Sequence, residues 1–124
     1  MRNFTRMKPE LFFDISNEES GGSLYRQPDQ SFLWHHSTFN EAADETKVFK
    51  TTFASFADFW MHLTRDAQWH YQHPLFVHPE VRPFVREQLR SVKWSVQGDA
   101  KWQISHQRQW TKVLNDRPGY YNPL

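Results

Sequence analysis

The chain contains no cysteine, only four glycines and no long apolar run. Without cysteine there are no disulfides, thiolate zinc sites or cysteine nucleophiles, which suits a reducing compartment. The few glycines supply no phosphate-cradling loop, since Gly21-Gly22 follows the acidic pair Glu18-Glu19, the wrong charge for an anion. No Gly-x-Ser-x-Gly marks a nucleophile turn. No stretch approaches the ~20 apolar residues of a membrane helix. The segment Met1–Arg6 is followed by no apolar run, so no secretory signal is expected, and the expected location is cytoplasmic. A net charge of +1 is too small to imply nucleic acid.

What the chain has is rings. Aromatic residues make up 17% of it, with 11 Phe, 6 Trp and 4 Tyr, although mean hydropathy is −0.84. Disordered chains are poor in aromatics, and each ring can bury roughly 150–250 Å². At 124 residues the expectation is one domain, 1–124, with a loose leader over 1–9 and an irregular tail over 116–124. Charge is uneven: residues 1–62 carry a net −3 and 63–124 a net +4. Such asymmetry favours self-association or a charged partner.

Glu10–Ile15 reads as a short strand stopped by a turn at Asn17–Gly22, and Leu24–Arg26 as a second strand. After a turn at Gln27–Gln30, Ser31–Thr38 is apolar on both faces and reads as a central strand. Past the acidic loop Asn40–Glu45, Thr46–Phe53 alternates as a strand with one face in the core. Ser55 with Asp58 forms a capping signature, followed by Phe56, Phe59, Trp60 and Leu63 on one helical face. A proline-punctuated connection, Trp69–Pro79, leads to a second helix opening near Pro79 or Pro83, with Val81, Phe84, Val85, Leu89 and Val92 on one side. Residues 93–114 fit a hairpin around Gln97–Ala100, or a helix capped by Asp99 with Trp102, His106, Trp110 and Val113 aligned; the helix fits the period better.

The fold class expected is therefore α+β: an antiparallel sheet of about four strands in the N-terminal half, packed by two or three helices from the C-terminal half. Candidate binding residues gather on the connection and after it: Trp69, His70, Tyr71, His73, Phe76, His78, Arg82, Arg86, Trp94 and Trp102. His70, His73 and His78 are weak metal candidates, because His-x-x-His serves one ion only on a helix and Pro74 and Pro79 oppose one. No cofactor is expected. Arg82, Arg86, Arg90 and Lys93 form a basic ridge beside Trp94 and Trp102, which could track phosphates; a solvated helix face is the blander account. His35 and His36 point to opposite faces of a strand and cannot share a site.

The run Val48–Leu63, a strand followed by Ser-Phe-x-x-Phe opening a helix, resembles that part of the SUKH-type bacterial immunity domains. It carries over no functional residue. The function expected is a non-catalytic binding module that self-associates, as a homodimer, or binds a partner protein through an aromatic surface around Trp69–His78 and the C-terminal third. The alternatives are a small-ligand or enzymatic pocket lined by the histidines of 69–78, an immunity or accessory protein of a mobile element, and a weak nucleic-acid binder through the 82–93 ridge.

Overall fold

A computed structural model of the chain describes residues 8–16, 20–66, 69–92 and 100–115. Five antiparallel strands, β1 (Glu10–Ser16), β2 (Ser20–Arg26), β3 (Phe32–Asn40), β4 (Glu45–Phe53) and β5 (His73–Val77), form one sheet in the order β4-β3-β2-β1-β5. Three helices complete the α+β arrangement: α1 (Phe56–Leu63), α2 (Arg82–Arg90) and α3 (Ala100–Leu114). Two single 3₁₀ turns, Trp69–Tyr71 and Pro79–Val81, flank β5.

The first four strands form a meander because their links are too short for parallel crossovers. Cross-strand partners share a face, so Phe13, Leu24 and Trp34 form one row towards the helices. Arg26, Phe32 and Phe53 form the next. A bulge between Leu11 and Phe13 breaks the alternation of β1 and buries two consecutive rings. Phe13 packs on Phe59, Trp60 and Trp110, while Phe12 meets Phe32 edge-on at 5.2 Å.

Helix α1 starts as its sequence requires, with Ser55 Oγ accepting from the Asp58 amide at 3.1 Å. Phe56, Phe59, Trp60 and Leu63 are buried. Helix α2 seats Val85 in the core with Phe84 and Leu89 beside it, and Trp60 Nε1–H donates to Gln88 Oε1 at 3.2 Å, tying α1 to α2. On α3, His106, Trp110, Val113 and Leu114 face inward.

Four sequence expectations change. Gly21 and Gly22 lie inside β2 rather than in a turn, because Trp34 lies across Gly22 from the neighbouring strand. Residues 17–19 of that expected turn lie outside the described residues. The connection at 73–77 is a fifth strand, since β1 offers it an open edge with Phe13 opposite Val77. Strand β4 puts no face in the core beyond its last residues, with only Thr51 and Phe53 partly buried, and α1 meets it at Phe53, whose ring packs on Phe59 and His62. The hairpin alternative fails where it can be seen: Lys101–Ile104 is helical. Its first strand and the Asp99 cap lie outside the described residues, as do residues 1–7 of the leader and the tail from 116.

Candidate functional site

Two rings of the expected aromatic surface lie in the core. Trp69 is 8% exposed and Trp110 1%, and they meet edge-on at 5.7 Å inside the core. Burial of Trp110 is possible because its indole N–H finds a partner; Nε1–H donates to the His70 carbonyl at 2.8 Å. His70 is itself buried against Trp69. Burial lowers its pKa, with Asp66 opposing the shift and His106 adding to it. Phe76 is half-buried on β5 and meets His78 edge-on.

The three candidate metal histidines are dispersed. His73 stacks on His106 at 4.9 Å and bonds Gln109 through Nδ1 at 2.9 Å. His78 lies past the other end of β5, stacked on Phe12 at 4.1 Å. Its Nδ1 accepts from the Glu80 amide at 3.1 Å, so the proton sits on Nε2, which donates to Glu10 Oε2 at 3.0 Å. Burial would raise the Glu10 pKa, but the bonds to His78 and Arg26 outweigh it and hold the carboxyl below its usual value. Among the described residues no group of three His, Asp or Glu could hold a metal ion.

The arginines of the basic ridge have partners within the chain. Arg82 Nε donates to the Val77 carbonyl at 2.9 Å. Arg86 donates to the Leu114 carbonyl at 2.6 Å and to Asn115 at 3.1 Å, closing the end of α3. Arg90 pairs with Glu87 at 3.4 Å. Each of the three arginines has a partner within the chain, and Arg86 and Arg90 remain exposed. Lys93 and Trp94 lie outside the described residues, as do the side chains of Tyr71 and Trp102.

Two other features stand out. The first is the free edge of the sheet. Among the described residues nothing continues the sheet beyond β4, and Phe39 (41% exposed), Val48 (57%) and Phe49 (43%) crowd the same hairpin. The second is a hollow of about 240 Å³ where α1 ends above the sheet. Ser20, Gly22, Trp34, His36 and Thr38 line its floor, and His62, Leu63, Asp66 and Gln72 its wall.

The sheet surface facing the helices changes character at that hollow. Along β3 the buried Phe32 and Trp34 give way to His36 and Thr38; along β2, Leu24 gives way to Gly22 and Ser20. His36 opposes Gly22 and Thr38 opposes Ser20, so the polar groups form adjoining rows. The His36 ring is stacked between Trp34 at 5.5 Å and Phe49 at 5.1 Å. Burial, then the nearby His62 and His35, lower its pKa, so it is neutral at pH 7. His35 is exposed on the other face, as strand geometry requires.

Sequence reasoning missed this group. The signal was present in the period-two run Phe32, Trp34, His36, Thr38, which turns from apolar to polar on one face. A second hollow of about 330 Å³ lies between α2 and α3, bounded by Arg86, Leu89, Arg90, Thr111, Leu114 and Asn115, with Arg86 already bonded to the Leu114 carbonyl.

No protein-family model matches the chain, and searches of curated proteins and of solved structures find no match either.

Proposed function

We propose that this protein is a non-catalytic binding module whose partner is a second copy of itself, joined through the free edge of β4. The observation that carries this reading is the strand itself: nine residues, at the sheet edge and exposed on both faces over its first six. An edge of that kind presents a row of amides and carbonyls that a second strand can complete.

The sequence of β4 supports one register. Antiparallel pairing of identical edges places a two-fold axis normal to the sheet, which keeps both helix layers on one side. Phe49 is the midpoint of Glu45–Phe53, so an axis there pairs the whole strand. Phe49 then meets its own copy, Thr46 meets Thr52, Lys47 meets Thr51 and Val48 meets Lys50. Aromatic and β-branched pairs of this kind favour pairing. Axes at Lys47 or Lys50 would set lysine against lysine. Edge lysines ordinarily discourage pairing, but here each faces a neutral residue.

The test is sedimentation across a dilution series for the natural chain and Phe49→Asp. Phe49 is 43% exposed, so the change leaves the core alone and places like charges across the axis. The natural chain is expected to dimerise and the variant to sediment as a monomer. A natural chain that stays monomeric at high concentration, or a variant that dimerises equally well, overturns the reading.

A further inference from the structure

We propose that the hollow beside the end of α1 is a binding site for a small organic cation carrying N–H donors, such as a primary amine or a guanidine. The case is independent of the β4 edge. It begins with the floor, where Gly22 has no side chain to fill the space and its place is taken by the Trp34 ring lying across it. A Cβ at Gly22 would collide with that ring and sit 2.8 Å from His36 Cβ, so the concavity depends on glycine at this position. An unfinished core would continue the apolar rows of the sheet. This one ends in Ser20, His36 and Thr38, with His62, Asp66 and Gln72 opposite. Convergent polar groups over an apolar floor are the usual build of a ligand site.

Size and charge choose the ligand. At about 240 Å³ the hollow is smaller than the ~300–1,000 Å³ of sites for drug-sized molecules, so its occupant is small. Among the described residues the lining contains one carboxylate, Asp66, and no Lys or Arg. Lys47, opposite Thr38 on the same face, is exposed and does not line it. With His36 neutral, an anion finds no opposite charge in the wall, while a cation finds Asp66. A carboxylate has about four acceptor positions, so Asp66 can receive N–H groups from a ligand while keeping its bonds within the protein. The hydroxyls of Ser20 and Thr38 and the amide oxygen of Gln72 add further acceptors. The rings of Trp34 and His36 give the cation aromatic surface to rest on.

The experiment titrates the full chain with putrescine, agmatine and tyramine, following the imidazole resonances of His36 and His62 by NMR. Benzoate and glycerol, offered at the same concentrations, test for charge selectivity. The amines are expected to shift both histidines saturably, with the controls silent. Asp66→Asn is expected to weaken amine binding at least tenfold; Asp66 is exposed, so the variant is expected to keep the fold, which its melting curve checks. The proposal is overturned if no amine shifts these resonances at millimolar concentration, if benzoate or glycerol binds as well, or if Asp66→Asn binds amines unchanged. Repeating the titration on Val48→Lys, which sets lysine against Lys50 across the axis on the face away from the hollow, removes the proposed dimer contact without touching His36. Retained binding there supports a site complete within one chain, and lost binding refutes that independence.

Discussion

Gly21 and Gly22 are neighbours in one strand, yet alanine at each should have a different effect. No positive φ is involved at either position, so an alanine could adopt both backbones. At Gly22 the new Cβ enters the space of the Trp34 ring, which is 5% exposed and held by Phe59 at 4.8 Å, and it presses on His36 Cβ at 2.8 Å. Neither neighbour can retreat into solvent without giving up packing. Overpacking of this kind costs about 1–3 kcal/mol. Restricting the unfolded chain returns about 0.4–1 kcal/mol, so Gly22→Ala should lose about 1–2 kcal/mol net. At Gly21 the nearest atoms are Ser16 Cβ at 3.3 Å and the Ile15 carbonyl at 3.5 Å, a tight fit that a small shift relieves. Gly21→Ala should stay within about 0.5 kcal/mol of the natural chain, the entropic return offsetting the crowding. Urea unfolding followed by tryptophan fluorescence measures both. At about 4 °C per kcal/mol for a domain of this size, Gly22→Ala should also melt roughly 4–8 °C lower. Equal stability of the two variants would show that Trp34 does not need the room attributed to it.

Trp110→Phe removes the buried bond to the His70 carbonyl and shrinks a ring that is 1% exposed, so it should destabilise by about 2–4 kcal/mol; a denaturation midpoint near that of the natural chain would contradict the packing described. His36 and His70 both have lowered pKa values when folded. The stability they contribute is therefore complete above the unfolded value of about 6.5 and is lost as pH falls from there through the folded values. Urea midpoints should drop between pH 7 and about 5, above the range in which Glu10 titrates, and His70→Asn should flatten that slope; an unchanged slope would remove His70 from the account.

The sequence made helix α1 plain because cap and apolar spacing agree at Ser55–Leu63, and local signals of that kind need no tertiary partner. The meander was readable for the same reason. Strand β5 was hidden because His73-Pro74 looks like a break, and only the edge of β1 turns it into a strand. The two glycines misled in the opposite direction: Gly-Gly is a turn signal in isolation, and only the indole of a neighbouring strand makes it a strand requirement. The tryptophans were counted as surplus because exposure was inferred from number. The burial of Trp110 depends on an acceptor, the His70 carbonyl, that sits 40 residues away in sequence. The arginine ridge at 82, 86 and 90 was legible as a spacing, and Arg86 and Arg90 are exposed, but the carbonyls of Val77 and Leu114 that Arg82 and Arg86 meet are set by the tertiary fold.

Both candidate sites follow from one mismatch of lengths. Helix α1 has eight residues, and at 1.5 Å per residue it spans only about 12 Å. Strands β3 and β4 have nine residues each, and at about 3.3 Å per residue they run about 30 Å. Even lying along the hairpin, α1 could cover less than half of it. Where the helix stops, the sheet must end its core, and it does so at the step from Trp34 to His36 and from Leu24 to Gly22, which makes the hollow. Beyond that step the hairpin stands clear of the helices, leaving Phe39, Val48 and Phe49 exposed. A protein that needed only a stable core would gain from two more turns on α1 or from a shorter hairpin. Adding a helical turn after Leu63 therefore discriminates between the uses of this gap: it should fill the hollow and abolish amine binding, while leaving the outer edge of β4, and hence dimerisation, in place.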